Sequence, residues 1–267
     1  MVTTRQCPRG GRERFLTGDK RAAEENGKGT VETTATDNDV VRLILLRHGQ
    51  VASHRGDVPL TSAGVAQATA AGNWFAERGH AISMLLHGGT ARARETAEHF
   101  RTAFESASDG PRGAVELDAS VALRNPDLYL GGYRVNMVSS SEALAEQVPP
   151  LTAADIAGSP WFTEFLTSAD RVGFWVGHTD PPGETARAVA QRIEAFTRSL
   201  RDVPGWRGGT VVGTTHSPIL RAVAHSFHGA DPGEPPFLHG YSLTADAAGA
   251  VHVEKVAPEI ATAVMTN

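Results

Sequence analysis

Short apolar runs alternate with amphipathic helical segments along most of this chain, and this alternation restricts the fold more than any other feature of the sequence. The run VVRLILL, at 40–46, is almost continuously apolar, which is typical of a strand that is covered on both faces. The runs AISMLL and GTVVGT have the same character. Strands that alternate with helices predict an α/β fold, here a three-layer α/β/α sandwich with a mostly parallel central sheet.

Four segments have the spacing of amphipathic helices, at 61–79, 90–105, 183–202 and 217–229. In the last of them, Ser217 is the predicted N-cap, and a proline follows it at the first helical position. A weak third strand is predicted at AVELD, and the runs FLHGYSLTAD and VHVEKV predict a terminal hairpin. The apolar stripe of the clearest helix consists of Ala186, Val189, Ile193, Phe196 and Leu200.

Two parts of the chain depart from this alternation. Residues 1–38 are polar and glycine-rich, with few large apolar side chains, so we predict a disordered tail; the alternative is a start codon placed too far upstream. Residues 39–267 then form a single domain. Between about 125 and 182, proline, glycine and tryptophan interrupt the pattern, which indicates an insertion or cap.

Composition excludes several classes of function. The net charge of −5 and the pI of about 6.1 do not suit a nucleic-acid partner. No apolar run approaches the ~20 residues of a membrane span, and no apolar signal segment is visible at the N-terminus. Cys7 is the only cysteine, so an internal disulfide and a cysteine zinc site are excluded. We expect a soluble, cytoplasmic protein without membrane or nucleic-acid partners.

Two of the predicted strands end in a histidine. Arg47, His48 and Gly49 follow one apolar run, and His216 follows another. In open α/β sheets, ligands bind beyond the carboxyl ends of the strands, so we expect both imidazoles in one crevice, where the glycine lets the backbone approach a ligand closely. The segment HGGTARARETA brings a helix N-terminus and Arg92 to the same place. Together these groups predict a phosphate site.

Four segments, in this order, resemble the histidine phosphatase superfamily, with its phosphoglycerate-mutase-like fold: LLRHGQ, DVPLTSAGVAQA, TARARETA and VVGTTHSPILR. The resemblance covers roughly 40–256. It implies that His48 is the nucleophile, which takes the phosphoryl group to give a phosphohistidine. It also implies that Arg47, Arg92 and His216 hold the phosphate oxygens, without a metal or another cofactor. Flanking arginines would keep a nucleophilic imidazole neutral by lowering its pKa.

The sequence departs from this family in the segment after the first histidine. His54 stands where many members have a phosphate-binding asparagine, and we predict that it still donates a hydrogen bond to phosphate. The segment ASHRGDVPLT is short, whereas glycolytic mutases carry a longer loop there. This difference argues against a mutase.

The general acid is not evident from the sequence. Departure of a leaving group needs a proton donor. Mutase-like members use a glutamate after the third strand, where this chain has Asn125, and acid-phosphatase members use an aspartate after the second histidine, where it has Ser217. Asp127 is the nearest carboxyl and is the predicted acid, with Glu142 and Glu184 as alternatives. Without any such group, the substrates would need good leaving groups, as acyl phosphates or phosphohistidine have.

The sequence therefore predicts a metal-independent phosphomonoesterase that hydrolyses a small-molecule phosphate ester through a phosphohistidine on His48. Three alternatives are phosphoglycerate-mutase-type phosphoryl transfer, a protein phosphatase acting on phosphohistidine, and an inactive phosphate-ligand binder. Arg94, two positions after Arg92, faces another way on the helix and is predicted to be a surface residue, and His225, on the last predicted helix, is predicted to be structural or exposed.

Aromatic and cationic side chains in the insertion are predicted to select the substrate. They could form a lid over a phosphomonoester, a homodimer interface or a small satellite core, and the last is the commonest role of clustered aromatic residues. These residues are Tyr129, Tyr133, Trp161, Phe174 and Trp175, with Arg134, Arg171 and His178.

Overall fold

Eight strands and eight α-helices occur in the part of the chain that the structure, a computed structural model, describes: residues 40–108, 114–246 and 248–259. The tail predicted for 1–38 lies outside these residues. The strands are β1 (Arg42–Arg47), β2 (Ile82–His87), β3 (Glu116–Ala119), β4 (Leu128–Leu130), β5 (Tyr133–Val135), β6 (Thr210–Thr215), β7 (Gly240–Ala245) and β8 (Val251–Val256). The helices are α1 (Ser62–Glu77), α2 (Ala91–Ala107), α3 (Ser141–Ala145), α4 (Ala153–Ala157), α5 (Pro160–Thr167), α6 (Arg171–Gly177), α7 (Ala186–Leu200) and α8 (Ser217–His228).

Six of the strands form the central sheet, in the order β3-β2-β6-β1-β7-β8. Strands β1, β2, β3 and β6 are parallel, and the terminal hairpin of β7 and β8 adds an antiparallel edge. Strands β4 and β5 pair separately as a small hairpin. This arrangement confirms the predicted α/β fold with a mostly parallel central sheet.

The side chains of β1 lie alternately in two apolar clusters, one on each side of the sheet. Leu43 and Leu45 belong to a cluster that includes residues of α7 and α8. Ile44 and Leu46 belong to a cluster that includes residues of α1 and α2. Because successive side chains of a strand point to opposite faces, a continuous apolar run is needed to fill both layers. The helices that follow β1 and β6 therefore cover opposite faces of the sheet.

Threonine caps define the starts of three long helices. Thr61, Thr90 and Thr185 each accept a hydrogen bond from a backbone N–H in the first turn of α1, α2 and α7, as an N-cap side chain should. Helix α8 differs from the prediction, since His216 occupies its N-cap position without a side-chain cap and Ser217 is its first residue.

The insertion predicted at about 125–182 contains the β4–β5 hairpin and the short helices α3 to α6. Its apolar side chains join the same cluster as Leu43 and Leu45. Trp175 is fully buried there, and Trp161 and Phe174 pack against the cluster. Trp175 is therefore a core residue, and Trp161 and Phe174 are partly buried at the edge of the same core.

Candidate active site

The two histidines that were predicted to share a crevice lie side by side. Strands β1 and β6 are neighbours, and their register pairs Arg47 with Thr215. His48 and His216 are the next residues along each strand, and their ring centroids are 5.4 Å apart. Both residues are 2% exposed. Since the helices after these strands cover opposite faces of the sheet, the crevice lies at a topological switch point.

Two buried arginines and a third histidine complete this cluster. Arg47 is the last residue of β1, Arg92 is in the first turn of α2, and both are buried. The ring of His54, a residue of the exposed segment after β1, lies 5.8 Å from that of His48. These groups and His216 line one cavity of about 490 Å³. The structure thus brings together five of the side chains that the sequence predicted for the site.

The imidazole of His48 is held in one tautomer. Its Nδ1 lies 2.7 Å from the carbonyl oxygen of Gly49. Because a carbonyl oxygen can only accept, Nδ1 carries the hydrogen and Nε2 keeps its lone pair. Burial lowers the pKa of His48 to about 3, and repulsion from Arg92 and Arg47 adds to this effect against the opposing hydrogen bond to Gly49. The ring is therefore neutral at neutral pH, as a nucleophile must be.

His216 is also held neutral. Burial lowers the pKa of His216 well below its ordinary value, and the neighbouring His48 and Arg92 lower it further. Its Nδ1 has no hydrogen-bond partner among the described residues, and the same holds for Nε of Arg47 and Nε of Arg92. Buried nitrogen atoms are rarely left unpaired. A tetrahedral anion has enough acceptor oxygens to serve several donors of such a cluster.

Residues of the loop before β7 hold the guanidinium of Arg47. Its Nη2 forms a salt bridge of 2.5 Å with Oε1 of Glu234, and its Nη1 donates to the carbonyl oxygen of Pro235 at 2.5 Å. The ring of Phe237 lies 4.2 Å from the guanidinium carbon, a favourable cation–π contact. Glu234 lines the cavity, and sequence reasoning missed it. The segment around Glu234, DPGEPPF, is rich in proline but matches no catalytic motif that would have pointed to this glutamate.

Two N–H groups in the first turn of α2, where an anion was expected to bind, already have partners within the protein. Oδ1 of Asp57 accepts from the N–H of Ala91 at 2.7 Å, and the Thr90 hydroxyl accepts from Ala93 at 3.3 Å. Asp57 also lies 3.9 Å from Nη1 of Arg92. This corrects the prediction for the helix N-terminus, because Asp57 occupies that end and α2 contributes its Arg92 side chain to the cavity.

Gly49 packs closely against the start of α1. Its N–H donates to Oγ1 of Thr96 at 3.0 Å, so that N–H is not free for a ligand. A Cβ atom on Gly49 would lie 2.7 Å from the backbone oxygen of Gly64, closer than real Cβ contacts allow. This packing by itself requires a glycine at position 49, and the contact of Gly49 with phosphate stays a prediction.

The predicted general acid, Asp127, lies in an arginine network and does not line the main cavity. Its carboxylate accepts from Nη2 of Arg124 at 2.6 Å and from Nε of Arg134. Burial alone would raise the pKa of this carboxyl, but the hydrogen bonds from the two arginines outweigh it and hold the pKa of Asp127 at about 2. Such a group has no proton to donate at neutral pH, and the structure argues against this role for Asp127.

The two alternative carboxylates are also outside the main cavity. Glu142 is exposed in the first turn of α3. Glu184 accepts from the backbone N–H of Asp127 at 2.8 Å and so belongs to the arginine network. Among the described residues that line the main cavity, the carboxylates are those of Asp170 and Glu234.

The insertion supplies part of the cavity wall. Two smaller cavities, of about 400 and 190 Å³, share Asn125 with the main one, so the groove continues past the histidines. The wall has apolar groups and one cation, which suits an organic group that carries a phosphate. The insertion residues in this wall include Met137, Val138, Phe165, Val172 and Arg171.

Within the described ranges, no group of three or more His, Cys, Asp or Glu side chains is placed to hold a metal ion. The described helices also include none that is both long and apolar enough to cross a membrane.

Residues 43–116 match the family model of the histidine phosphatase superfamily (branch 1). This region runs from β1 to β3 and contains Arg47, His48, His54 and Arg92. No curated protein sequence matches the chain significantly.

Solved structures share the fold at low sequence identity. YhfR of Bacillus stearothermophilus is 20% identical, with a TM-score of 0.50 over 80% of this chain and 96% of that one. A mycobacterial glucosyl-3-phosphoglycerate phosphatase is 19% identical, with a TM-score of 0.53 over 81% and 97%. A phosphoglycerate mutase of Bacillus anthracis is 17% identical, with a TM-score of 0.53 over 82% and 94%. The family match and the shared fold confirm the resemblance to the histidine phosphatase superfamily.

Proposed function

We propose that this chain, as a protein of the histidine phosphatase superfamily, is a phosphomonoesterase that hydrolyses small-molecule phosphate esters through a phosphohistidine on His48. The hydrogen bond from Nδ1 of His48 to the Gly49 carbonyl supports this most directly. It leaves a lone pair on Nε2 in a cavity that is lined by two arginines. A neutral nucleophile among fixed cations is what attack on a phosphoryl group requires.

In the first step, Nε2 of His48 bonds to phosphorus while the bond from phosphorus to the ester oxygen breaks. Arg47, Arg92 and His216 stabilise the non-bridging oxygens, and His54 adds a hydrogen bond from the rim of the cavity. In the second step, water attacks the phosphohistidine and inorganic phosphate leaves. The arginines supply the positive charge that magnesium supplies in other phosphoryl-transfer enzymes, so the proposed reaction needs no metal.

A phosphoryl-transferring mutase is the second candidate, because the solved structures with this fold include a mutase as well as a phosphatase. The segment after β1 favours hydrolysis. It is a short, largely exposed loop that is closed by a bridge between Val51 and Leu60. A short loop leaves the phosphohistidine accessible to water, whereas a mutase must keep water out until the phosphoryl group is transferred.

The test is hydrolysis of p-nitrophenyl phosphate between pH 4 and 9 in excess EDTA. We would compare the wild type with His48→Ala and with His225→Ala, a matched control on the exposed face of α8. We expect EDTA-resistant activity that His48→Ala lowers by more than about 10³-fold and that His225→Ala leaves unchanged. Rapid acid-free quenching should trap a phosphohistidine in the wild type only.

Several outcomes would overturn this proposal. Activity that requires a divalent metal, or that persists in His48→Ala, contradicts the proposed chemistry. Transfer that requires a bisphosphate would identify a mutase. Turnover of a phosphohistidine peptide but of no small ester would identify a protein phosphatase, and phosphate binding without any turnover would identify an inactive binder.

A further inference from the structure

The proposed reaction lacks a proton donor for the leaving group. An alkoxide is a poor leaving group unless it is protonated as its bond to phosphorus breaks. Asp127, Glu142 and Glu184 do not line the main cavity, and only the carboxylates of Asp170 and Glu234 do so among the described residues.

Both carboxylate oxygens of Asp170 form structural hydrogen bonds. Its Oδ1 and Oδ2 accept hydrogen bonds from Arg221 at 2.8 and 2.6 Å, and Oδ1 also accepts from the N–H of Gly173 at 2.9 Å as the N-cap of α6. The hydrogen bonds from Arg221 lower the pKa of Asp170, and the one from Gly173 adds to them. A carboxylate with both oxygens engaged in this way stays ionised.

Glu234 is placed differently. Its Oε2 accepts from the hydroxyl of Ser217 at 2.5 Å, and Ser217 directly follows His216. Its Oε1 contacts Arg47 at 2.5 Å. The carboxyl group therefore lies between residues adjacent to the two catalytic histidines. Half of its side chain is exposed, so it can exchange protons with water, unlike the buried imidazoles.

Substrate binding changes the surroundings of this carboxylate. In the structure, Glu234 neutralises the charge of Arg47. A phosphate dianion that binds the unpaired Nε of Arg47 would bring its negative charge close to this carboxylate. Like charges that share a site favour proton uptake by one of them. The contact with Arg47 and its place in the cavity wall therefore put the Glu234 carboxyl next to the site proposed for the phosphate ester.

We propose that Glu234 is the general acid and base of this enzyme, an inference that rests on the proposed phosphatase function. As the bond from phosphorus to the ester oxygen breaks, that oxygen keeps the electron pair and takes the proton of the Glu234 carboxyl, which gives the free alcohol and a carboxylate. The carboxylate then accepts a proton from the attacking water. The electrons of the N–P bond return to Nε2 of His48, and both the enzyme and the Glu234 proton are restored.

The experiment compares a good leaving group with a poor one. Wild type, Glu234→Gln and Glu98→Gln would be assayed on p-nitrophenyl phosphate and on phenyl phosphate, with thermal unfolding as the folding control. Glu98 is a suitable match, because it is a half-exposed glutamate that also pairs with an arginine, Arg94. The quantity compared is kcat/KM, which reports the steps up to formation of the phosphohistidine and not its hydrolysis. We expect Glu234→Gln to lower kcat/KM on phenyl phosphate by about 10²-fold or more and on p-nitrophenyl phosphate by less than about threefold, with loss of one limb of the pH profile. Glu98→Gln should change neither activity.

A second variant, Glu234→Asp, keeps the carboxyl group and should recover part of the phenyl phosphate activity. Equal losses of kcat/KM on both esters in Glu234→Gln would overturn the inference, as would no loss on either. A lower KM with unchanged kcat would also overturn it, because the glutamate would then only compete with phosphate for Arg47. If the wild type hydrolyses neither ester, the proposed function itself fails, which is a distinct result.

Discussion

The guanidinium of Arg221 donates two parallel hydrogen bonds to the carboxylate of Asp170, at 2.8 and 2.6 Å. Arg221 lies on α8 with its side chain 2% exposed, and it also bonds to Asp231. Asp170 caps α6 and lines the main cavity. This contact therefore fastens the insertion to the helix that follows His216.

Asp170→Asn should weaken this attachment. Loss of one charged partner of the buried Arg221 guanidinium destabilises the folded protein. The amide oxygen of the substituted side chain can still cap α6. We expect a loss of about 1–2 kcal/mol in the free energy of unfolding, measured by urea titration, and a rise in KM that exceeds the fall in kcat. Asp170→Ala also removes the cap and should cost about 1 kcal/mol more. Equal stabilities of the two variants would show that the cap contributes nothing.

Stability should fall below pH 6.5 because of His48. The pKa of His48 is lowered to about 3 in the folded protein, whereas a histidine in an unfolded chain titrates near 6.5. Between these values only the unfolded state binds the proton, so stability is complete above about pH 6.5 and falls as the pH drops toward 3. The loss is up to about 1.4 kcal/mol per pH unit for such a histidine. Urea unfolding of His48→Asn should show a shallower decline; parallel declines in the two proteins would contradict the assigned pKa.

Asp127→Asn should lower the free energy of unfolding without changing catalysis. The carboxyl of Asp127 has its pKa lowered to about 2 by two arginines, so its contribution is present above pH 4 and disappears as the pH falls toward 2. We expect a loss of about 1–2 kcal/mol at pH 7, which shrinks at pH 3. The ratio of activities on phenyl and p-nitrophenyl phosphate should not change. A selective loss on phenyl phosphate would instead restore Asp127 as the acid. Asp180→Asn, at an exposed site, is the control.

Arg92→Lys should impair catalysis, whereas Arg94→Lys should not. Arg92 is buried at the cavity, but Arg94 lies on the exposed side of α2 and pairs with Glu98 at 3.7 Å. Lysine keeps the charge and loses the planar fork that matches phosphate oxygens. We expect kcat/KM for p-nitrophenyl phosphate to fall by about 10²-fold in Arg92→Lys and by less than twofold in Arg94→Lys. Similar values for the two variants would remove Arg92 from the proposed site.

Local sequence patterns predicted the parts of the fold that depend on backbone periodicity. The apolar run before Arg47 had to be a strand buried on both faces, and helical spacing located α1, α2, α7 and α8. The positions of His48 and His216 followed from these elements, because residues at the carboxyl ends of parallel strands meet at one edge of a sheet. The predicted cap of α8 was wrong, because His216 rather than Ser217 occupies the N-cap position.

Contacts between distant side chains could not be predicted in this way. Asp127 was chosen because it lies close to the expected position along the chain, but Arg134 of the β4–β5 hairpin helps to hold it ionised. Glu234 was overlooked because it is 186 residues from His48, and only the packing of the loop before β7 against Arg47 brings it to the cavity.

The sequence by itself determined the α/β architecture and the cluster of Arg47, His48, Arg92 and His216, because both depend on periodicity and on the ends of elements. Only the tertiary structure decided which carboxylates are held ionised by arginines and which ones line the cavity. The physical reason is that the protonation state of a carboxyl group depends on the charges and hydrogen-bond donors within a few ångströms of it. Those neighbours come from segments that are far apart in the sequence.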